Sequence, residues 1–263
     1  MDLDDAYDNQ SHVPDAADYP PRWAAEAEAY RKRLGAANRA RLGLMYGHGT
    51  RQVMDLFTPV GRRDGLAIFV HGGYWRRFGR GDFSHFADGL VLQHWAVAMP
   101  SYDLCPRARI SDIMRQVASA VAAVARELPD LPIRLVGHSA GGQLVARMLA
   151  PGVLPEEVGA RIERVMPISP VSDLRPLLRT SINDDLQLEA EEAAAESPVL
   201  MDPPRTPVSV WVGGDELPAF LDQARWLAEA WGAEHVVEDG KHHFNVIDGL
   251  LDPESRMIRT LLA

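Results

Sequence analysis

The residue with the clearest chemical potential is Ser139, at the centre of a Gly-x-Ser-x-Gly pattern. The segment Gly137–Gly142 reads Gly-His-Ser-Ala-Gly-Gly. A short apolar run over 132–136 precedes it and helix-forming residues over 143–150 follow, so the spacing predicts a strand, a tight turn and a helix with the serine at the apex. Glycines two residues either side suit such a turn, because it leaves no room for a Cβ. This setting exposes a hydroxyl that can act as a nucleophile.

A serine nucleophile needs a base within hydrogen-bond reach and an acid that orients the base. Of the nine histidines, His242 and His243 lie in a glycine-containing loop after the last predicted strand. We favour His243 as the base and keep His242 as the alternative. The acid is expected on the turn after the strand 208–212, where Asp215 and Glu216 are neighbours. Adjacent side chains usually diverge, so only one of the two is expected to reach the histidine.

An oxyanion formed by attack at Ser139 needs at least two hydrogen-bond donors. The N–H of Ala140, at the start of the predicted helix, is the first candidate. The N–H groups of Gly72 and Gly73 are the others, because the pair follows a buried apolar strand and carries no obstructing side chain. The aromatic candidates for the substrate pocket are Tyr74, Trp75 and Phe244, although the first two also suit a place in the core.

The composition of the chain limits the classes of partner that it can bind. The chain has 263 residues and a net charge of −10, which argues against nucleic acid or an anionic membrane as partner. Its single cysteine, Cys105, excludes an internal disulfide framework and is expected to be a small buried hydrophobe. No apolar stretch reaches 18 residues and the acidic N-terminus does not resemble a secretory signal, so we expect a cytoplasmic protein. A homodimer remains open.

Strand and helix patterns alternate along the chain. Strands are predicted over 51–57, 66–70, 95–100, 132–136, 164–169, 208–212 and 234–238, and helices over 23–34, 83–93, 110–128, 143–150, 218–231 and 254–262. This order predicts one α/β domain over 1–263, with a mostly parallel twisted sheet and helices on both faces. Residues 1–20 are expected to be a loose arm, and 173–200 a small cap-like helical insertion. The candidate site residues all follow predicted strands, so one cleft at the carboxyl ends could collect them.

The motifs together resemble the kynurenine formamidase (arylformamidase) branch of the α/β-hydrolases, which adjoins the hormone-sensitive-lipase-like carboxylesterases. The resemblance runs from about Trp23 onward and rests on these segments in this order: His71–Trp75, Tyr102-x-Leu104-x-Pro106, Gly137–Gly142, Ser172-Asp173-Leu174-x-Pro176 and His243-Phe244. It implies the α/β-hydrolase fold and a serine–acid–histidine hydrolase without metal or cofactor. In similar sequences the acid precedes a Pro-x-Phe by a fixed step, and Pro218–Phe220 then points to Glu216. Many similar sequences have Asp at the position of Glu216, so Asp215 stays a candidate for the acid.

The implied reaction is attack of Ser139 on a formyl or short acyl carbonyl, with an acyl-enzyme that water then hydrolyses. We expect an arylformamidase acting on N-formylkynurenine, with a carboxylesterase or thioesterase of broad specificity as the alternative. The carboxylate of N-formylkynurenine could pair with one of Arg76, Arg77, Arg175 and Arg179. A non-catalytic binding protein would be expected to have lost the serine, the histidine or the glycines. A metal-dependent hydrolase using His71, His242 and His243 lacks any supporting zinc-ligand spacing.

Overall fold

Eight strands form one sheet in the computed structural model, which describes residues 2–263. They are β1 Ala40–Met45, β2 Val53–Phe57, β3 Gly65–Val70, β4 Trp95–Pro100, β5 Ile133–His138, β6 Ile162–Ile168, β7 Ser209–Gly213 and β8 Glu234–Glu238. The spatial order is β1-β2-β4-β3-β5-β6-β7-β8. The pairs β1–β2 and β2–β4 are antiparallel, and every other pair is parallel.

Helices connect the parallel strands. The α-helices are α1 Leu3–Ala6, α2 Asn9–His12, α3 Tyr19–Ala36, α4 Asp88–Leu92, α5 Ile110–Glu127, α6 Ala140–Arg147, α7 Glu156–Gly159, α8 Asn183–Leu186, α9 Ala190–Ala195, α10 Pro218–Trp231 and α11 Arg256–Leu262. Short 3₁₀ helices span Ala16–Asp18, Arg80–Asp82, Ser84–Ala87, Arg175–Arg179, Pro198–Leu200 and Val246–Leu250.

The central strands are covered by helices on both faces. In β3, Leu66, Ile68 and Val70 pack in one apolar layer with residues of α5, α6 and α10. The intervening Ala67 and Phe69 pack in the other layer with residues of α3, α4 and α11. Side chains alternate between the faces of a strand, so a continuous apolar run indicates burial on both sides. The predicted doubly covered, mostly parallel sheet is therefore confirmed.

The carboxyl ends of the parallel strands collect the candidate residues at one edge of the sheet. Strand β5 runs directly into Ser139, and β3 leads into the glycine pair at 72–73. Strand β6 is followed at once by Ser169, and the short loops after β7 and β8 carry Glu216 and His243. These loops come from strands that are neighbours in the sheet, so their side chains meet above its edge.

The predicted strands are all present, and their ends agree to within two residues. Strand β1 was not expected from the sequence. It lies at the edge of the sheet and exposes Leu42 and Met45, so it lacks the buried apolar pattern by which the other strands are predicted. The helix predicted over 83–93 begins as a 3₁₀ turn and becomes α-helical at Asp88.

Residues 2–20 differ most from their predicted structure. Instead of a loose arm they form α1, α2 and a 3₁₀ turn, with Tyr7 only 3% exposed. The Tyr7 ring packs edge-on against Phe220, and its hydroxyl accepts a hydrogen bond of 2.8 Å from the Gln223 amide. The abundant acidic residues favour an exposed segment, whereas this one aromatic anchor, whose partners lie more than 200 residues away, fixes it to the domain.

Candidate active site

Ser139 occupies a strained turn between β5 and α6. Its φ of 56° and ψ of −119° lie outside the regions that most residues adopt. A Cβ on Gly137 would collide with the carbonyl of Gly141, and one on Gly141 with the carbonyl of Val70. The two glycines are therefore required by close backbone approach, as the sequence pattern indicates. The turn leaves Ser139 3% exposed, at the wall of a cavity.

His243 and Glu216 form a buried pair beside the elbow, the tight turn Gly137–Gly142 that carries Ser139. Nδ1 of His243 lies 2.7 Å from Oε2 of Glu216. The other carboxylate oxygen accepts hydrogen bonds from the backbone N–H of Gly213, at 2.9 Å, and from the hydroxyl of Ser169. A carboxylate at Nδ1 fixes the proton there and leaves Nε2 of the neutral ring as a proton acceptor.

The adjacent Asp215 takes no part in this pair. It is exposed, and its backbone N–H donates to the carbonyl of Lys241 at 2.9 Å. The loop between β7 and α10 thus turns one acidic side chain into the site and the next one out to solvent. Of the two acids that the sequence leaves open, Glu216 is the one that contacts the histidine.

The ring nitrogens of His242 are bound to groups other than Glu216. Its Nδ1 accepts from the backbone N–H of Phe244 at 3.2 Å, and its Nε2 lies 3.1 Å from the hydroxyl of Tyr19. Burial and the neighbouring His243 together lower the pKa of His242, although Glu216 acts against this. Because both ring nitrogens of His242 have hydrogen-bond partners, neither is free to accept a proton. The ring of His243, by contrast, has one free nitrogen.

His138, within the elbow itself, binds the loop that carries His243. Its Nε2–H donates to the backbone carbonyl of His243 at 2.8 Å, and the two rings lie 4.7 Å apart between centroids. Burial, together with the nearby His243, holds the pKa of His138 well below its usual range, so the ring stays neutral. His138 thus connects the Ser139 turn to the backbone of His243.

The glycine pair after β3 lies against the elbow. A Cβ on Gly72 would stand 2.8 Å from the carbonyl oxygen of His138 and 3.0 Å from Cβ of Ser139. Gly73 has a φ of +105°, which side chains rarely allow. Among residues 2–263, the N–H groups of Gly72, Gly73 and Ala140 donate to no protein acceptor. They are free to bind a developing oxyanion.

His71 fixes the shape of this glycine loop. Its Nδ1–H donates to the carbonyl of Gly72 at 2.8 Å, and its ring stacks on Tyr102 at 4.3 Å between centroids. The Tyr102 hydroxyl donates to the backbone carbonyl of His71 at 2.8 Å. Burial lowers the pKa of His71 to about 4, so the ring remains neutral. A carbonyl held in this way also fixes the N–H of the same peptide bond, that of Gly73.

The cavity beside Ser139 has a volume of about 580 Å³. One part of its wall is aromatic and is formed by Trp23, Tyr74, Phe78, Phe83 and Phe244. Another part is polar and comes from the N-terminal segment, from Arg76 and Arg77, and from Ser181 in the insertion. Two of the three aromatic candidates from the sequence, Tyr74 and Phe244, therefore face the cavity.

Trp75, the third aromatic candidate, does not line the cavity. It is completely buried, and its indole N–H donates to the side-chain carbonyl of Gln143 at 3.1 Å. Consecutive left-handed residues at 74 and 75 place one side chain toward the cavity and the other into the core beneath α6. Its prediction as a substrate-binding residue is wrong, and the core position that the sequence left open is the correct one.

Only two of the four candidate arginines lie in the cavity wall. Arg76 and Arg77 line the cavity, whereas Arg175 and Arg179 do not. Arg76 is paired with Asp185 of α8 at 2.6 Å, and Arg175 with Asp173 at 2.7 Å. Arg77 contacts the side-chain oxygen of Gln10 at 3.3 Å and has no ion-pair partner within residues 2–263.

Catalysis by a metal ion or by a cysteine thiol has little support in the part of the chain that is described. Residues 2–263 contain no group of three or more His, Cys, Asp or Glu placed to hold a metal ion. Burial raises the pKa of the Cys105 thiol to about 12, which removes its nucleophilic form at neutral pH. Within the same residues, every helix is too short or too polar to traverse a lipid bilayer.

A family model described as alpha/beta hydrolase fold matches residues 67–236. The chain belongs to this α/β-hydrolase family. The chain is similar to a kynurenine formamidase from Salmo salar, with 28% identity over 236 residues that cover 84% of this chain and 80% of the relative. A similar enzyme from Drosophila melanogaster is 27% identical and covers 83% of this chain and 79% of that one.

Solved structures extend the comparison. A protein from a Silicibacter species, described as a candidate thioesterase, is 59% identical, covers 100% of both chains and superposes with a TM-score of 0.97. An esterase from Pyrobaculum calidifontis has the same fold, with 17% identity, a TM-score of 0.72 and coverage of 95% of this chain and 92% of that one. The family pattern of a nucleophile on the turn after a central strand agrees with the position of Ser139.

Sequence reasoning missed two features of this hydrolase-fold site. Ser169 was treated only as the end of a strand, although its hydroxyl binds the carboxylate of Glu216. A polar residue directly after a parallel strand was the available signal, since such positions face the site. The N-terminal segment was not considered as a wall of the cavity, and no periodic pattern marks it as one.

Proposed function

We propose that the chain is a serine hydrolase in which Ser139 is the nucleophile, His243 the general base and Glu216 the orienting acid. The observation that carries this proposal is the buried 2.7 Å contact between His243 and Glu216 at the cavity that Ser139 also lines. A buried carboxylate on Nδ1 leaves the opposite nitrogen free to take a proton from a serine.

The reaction begins when the hydroxyl oxygen of Ser139 attacks the acyl carbonyl and passes its proton to Nε2 of His243. The oxyanion is bound by the N–H groups of Gly72, Gly73 and Ala140. The imidazolium, stabilised by Glu216, returns the proton to the leaving amine or alcohol. Water then attacks the acyl-enzyme by the same route and releases the acid.

For the substrate we propose an aryl formamide, with N-formylkynurenine as the first compound to test. The aromatic part of the cavity wall suits an aryl leaving group, because ring edges and faces pack favourably on one another. The similarity to kynurenine formamidases from two animals supports the same choice.

A second candidate is a thioesterase or carboxylesterase that uses the same residues. The specific observation in its favour is the 59% identity to the Silicibacter protein described as a candidate thioesterase. The triad chemistry is common to both candidates, so only the cavity can distinguish them.

The deciding measurement is kcat/KM for N-formylkynurenine, p-nitrophenyl acetate and acetyl-coenzyme A on one preparation, with Ser139→Ala as control. We expect the formamide to exceed the others by at least ~100-fold, which corresponds to about 2.7 kcal/mol of transition-state stabilisation. A preference for either ester would replace the formamidase assignment. Activity that survives in Ser139→Ala would refute the nucleophile itself.

A further inference from the structure

The loop after β3 that carries two of the proposed oxyanion donors has an unfavourable backbone conformation. Gly73, Tyr74 and Trp75 all have a positive φ, of 105°, 49° and 55°. Glycine adopts this region readily, whereas a tyrosine or a tryptophan does so only at a cost in free energy. Such a run persists where contacts with the surrounding structure fix it. The positions of the Gly72 and Gly73 N–H groups therefore depend on what holds the residues that follow them.

Trp75 attaches the end of this loop to the core. Its side chain is fully buried, and its backbone carbonyl accepts from the N–H of Cys105 at 2.9 Å. Its indole N–H donates to Oε1 of Gln143 at 3.1 Å. A buried indole N–H is costly to leave without an acceptor, so this hydrogen bond fixes the orientation of the ring. The ring in turn fixes the backbone to which it is attached.

Gln143 lies on α6, one helical turn after Ser139. Its backbone N–H donates to the carbonyl of Ser139 at 3.2 Å, and its side chain is fully buried. The proposed oxyanion donors lie on two elements, because Ala140 belongs to α6 and the glycine pair 72–73 belongs to the loop. Donors on separate elements must converge on one oxygen atom to stabilise it. The hydrogen bond between Gln143 and Trp75 joins these two elements directly.

The other half of the Gln143 amide is bound as well. Its Nε2 donates to the backbone carbonyl of Glu196, directly after α9, at 2.8 Å. An amide with an acceptor on one side and a donor on the other has a single orientation, so Oε1 faces the indole. Glu196 is itself held by Arg147, also on α6, whose Nε lies 3.0 Å from the Glu196 carboxylate. Gln143 is therefore fixed from both sides.

We propose that Gln143 is a positioning residue, which holds the N–H groups of Gly72 and Gly73 at the distance from Ala140 that the oxyanion requires. It contacts no substrate and acts through Trp75. The inference rests on the proposed function, because it assumes that an oxyanion forms when Ser139 attacks. A side chain that merely filled the core would contribute to stability alone, whereas a positioning residue must also affect the transition state.

The test separates kcat from KM for the best of the three substrates above. Gln143→Met keeps an unbranched side chain and removes both amide hydrogen bonds, whereas Trp75→Phe keeps an aromatic ring and removes the indole N–H. We expect kcat of each variant to fall by at least ~10-fold with KM within about twofold, because displaced donors weaken binding of the oxyanion but not of the ground state. The double variant should lose no more than the weaker single variant, since both changes break the same bond.

A second readout is the inhibition constant, Ki, of phenyl trifluoromethyl ketone. The Ser139 oxygen adds to its carbonyl carbon, the serine proton passes to His243, and the carbonyl oxygen becomes the oxyanion without loss of any group. This adduct resembles the transition state, so its Ki should rise in both single variants by the factor by which kcat falls. If Gln143→Met does not fold, kcat and Ki of Trp75→Phe decide the question.

Glu196→Gln is the matched control, because it weakens the attachment of α9 to α6 but keeps the backbone carbonyl that Gln143 binds. Its kcat should stay within about twofold of the unsubstituted value, even where thermal unfolding shows lower stability.

Three outcomes would overturn the proposal. One is an unchanged kcat in folded Gln143→Met or Trp75→Phe, which would leave Gln143 as a part of the core. The second is a double variant whose loss equals the product of the two single losses. The third is an equal loss of kcat in Glu196→Gln. Failure of the proposed function is a separate result, because it appears as activity that survives in Ser139→Ala.

Discussion

Glu216→Gln tests the proposed acid with almost no change in shape. One oxygen of Glu216 accepts two hydrogen bonds, from the N–H of Gly213 and from the hydroxyl of Ser169. The carbonyl oxygen of a glutamine must occupy that position, because two donors point at it. Its NH₂ group then faces Nδ1 of His243, where the structure has the second carboxylate oxygen at 2.7 Å.

An NH₂ group at this position reverses the hydrogen bond. Nδ1 of His243 must then accept, so the proton of the neutral ring moves to Nε2, the position that has to receive a proton from the serine. In a serine protease the equivalent acid-to-amide change lowers kcat by about 10⁴. We therefore expect a fall of ~10⁴ for Glu216→Gln, or about 5.5 kcal/mol in the activation free energy.

Two further variants refine the measurement. Glu216→Asp keeps the charge but shortens the side chain by one methylene, and a misplacement of about 1 Å costs ~100-fold in rate. Asp215→Asn is the matched control, because this neighbouring acid is exposed and makes no side-chain contact with His243. Its kcat/KM should stay within about twofold, which is the scatter expected of a surface substitution.

The assay is kcat/KM for the best of the three substrates above, on preparations whose circular dichroism and thermal unfolding match those of the unsubstituted chain. Loss of activity in Asp215→Asn with retention in Glu216→Gln would refute the assignment of the acid. Equal and modest losses in both would refute the reasoning from the tautomer of His243.

Four other outcomes follow from single contacts. Gly72→Ala should lower kcat by ~100-fold or more in steady-state assays while circular dichroism stays unchanged, because the new Cβ, 3.0 Å from Cβ of Ser139, displaces an oxyanion donor. His138→Ala should lower kcat and broaden its pH profile, whereas His138→Gln, which can still donate to the same carbonyl, should restore most of the rate; equal losses would contradict this connection. Cys105 should resist iodoacetamide at pH 8 until the chain is unfolded, as mass spectrometry would show, because burial raises the pKa of its thiol to about 12. Urea unfolding should give lower stability at pH 5 than at pH 7: burial lowers the pKa of His71 to about 4, so the unfolded chain takes up the proton first and the free energy of unfolding falls by about 2 kcal/mol as the pH drops below 6.5.

The parts of the fold that could be predicted are those whose signal is local. The buried strands are short apolar runs, and the elbow is a glycine pattern between a strand and a helix. The choice between Asp215 and Glu216 was different, since the two share the same surroundings in the sequence. It depends on which side chain the N–H of Gly213 and the hydroxyl of Ser169 bind. Ser169 lies 47 residues before Glu216, and no local pattern connects the two.

The positions of Trp75 and of the N-terminal segment also depend on residues far away in the sequence, so local patterns could not predict them. An aromatic residue beside a glycine loop suits both a pocket and a core, and the decision for Trp75 came from the Gln143 amide, 68 residues away in the chain. The acidic composition of residues 2–20 predicts solvent exposure because charged groups are costly to bury. It says nothing about Tyr7, whose ring packs edge-on against Phe220, a residue far away in the sequence.

The residues proposed for the chemistry and the polar wall of the cavity lie on different parts of this molecule. The residues proposed for bond cleavage sit at the ends of neighbouring strands, where backbone contacts such as those of the elbow glycines leave little freedom to change. Much of the polar cavity wall comes from the N-terminal segment and the insertion, which are attached by side-chain contacts such as those of Asp4 with Ser181. Such attachments can be altered without touching the sheet. A change of substrate among related chains should therefore require substitutions in residues 2–20, whereas substitutions at the strand ends should abolish turnover of every substrate alike.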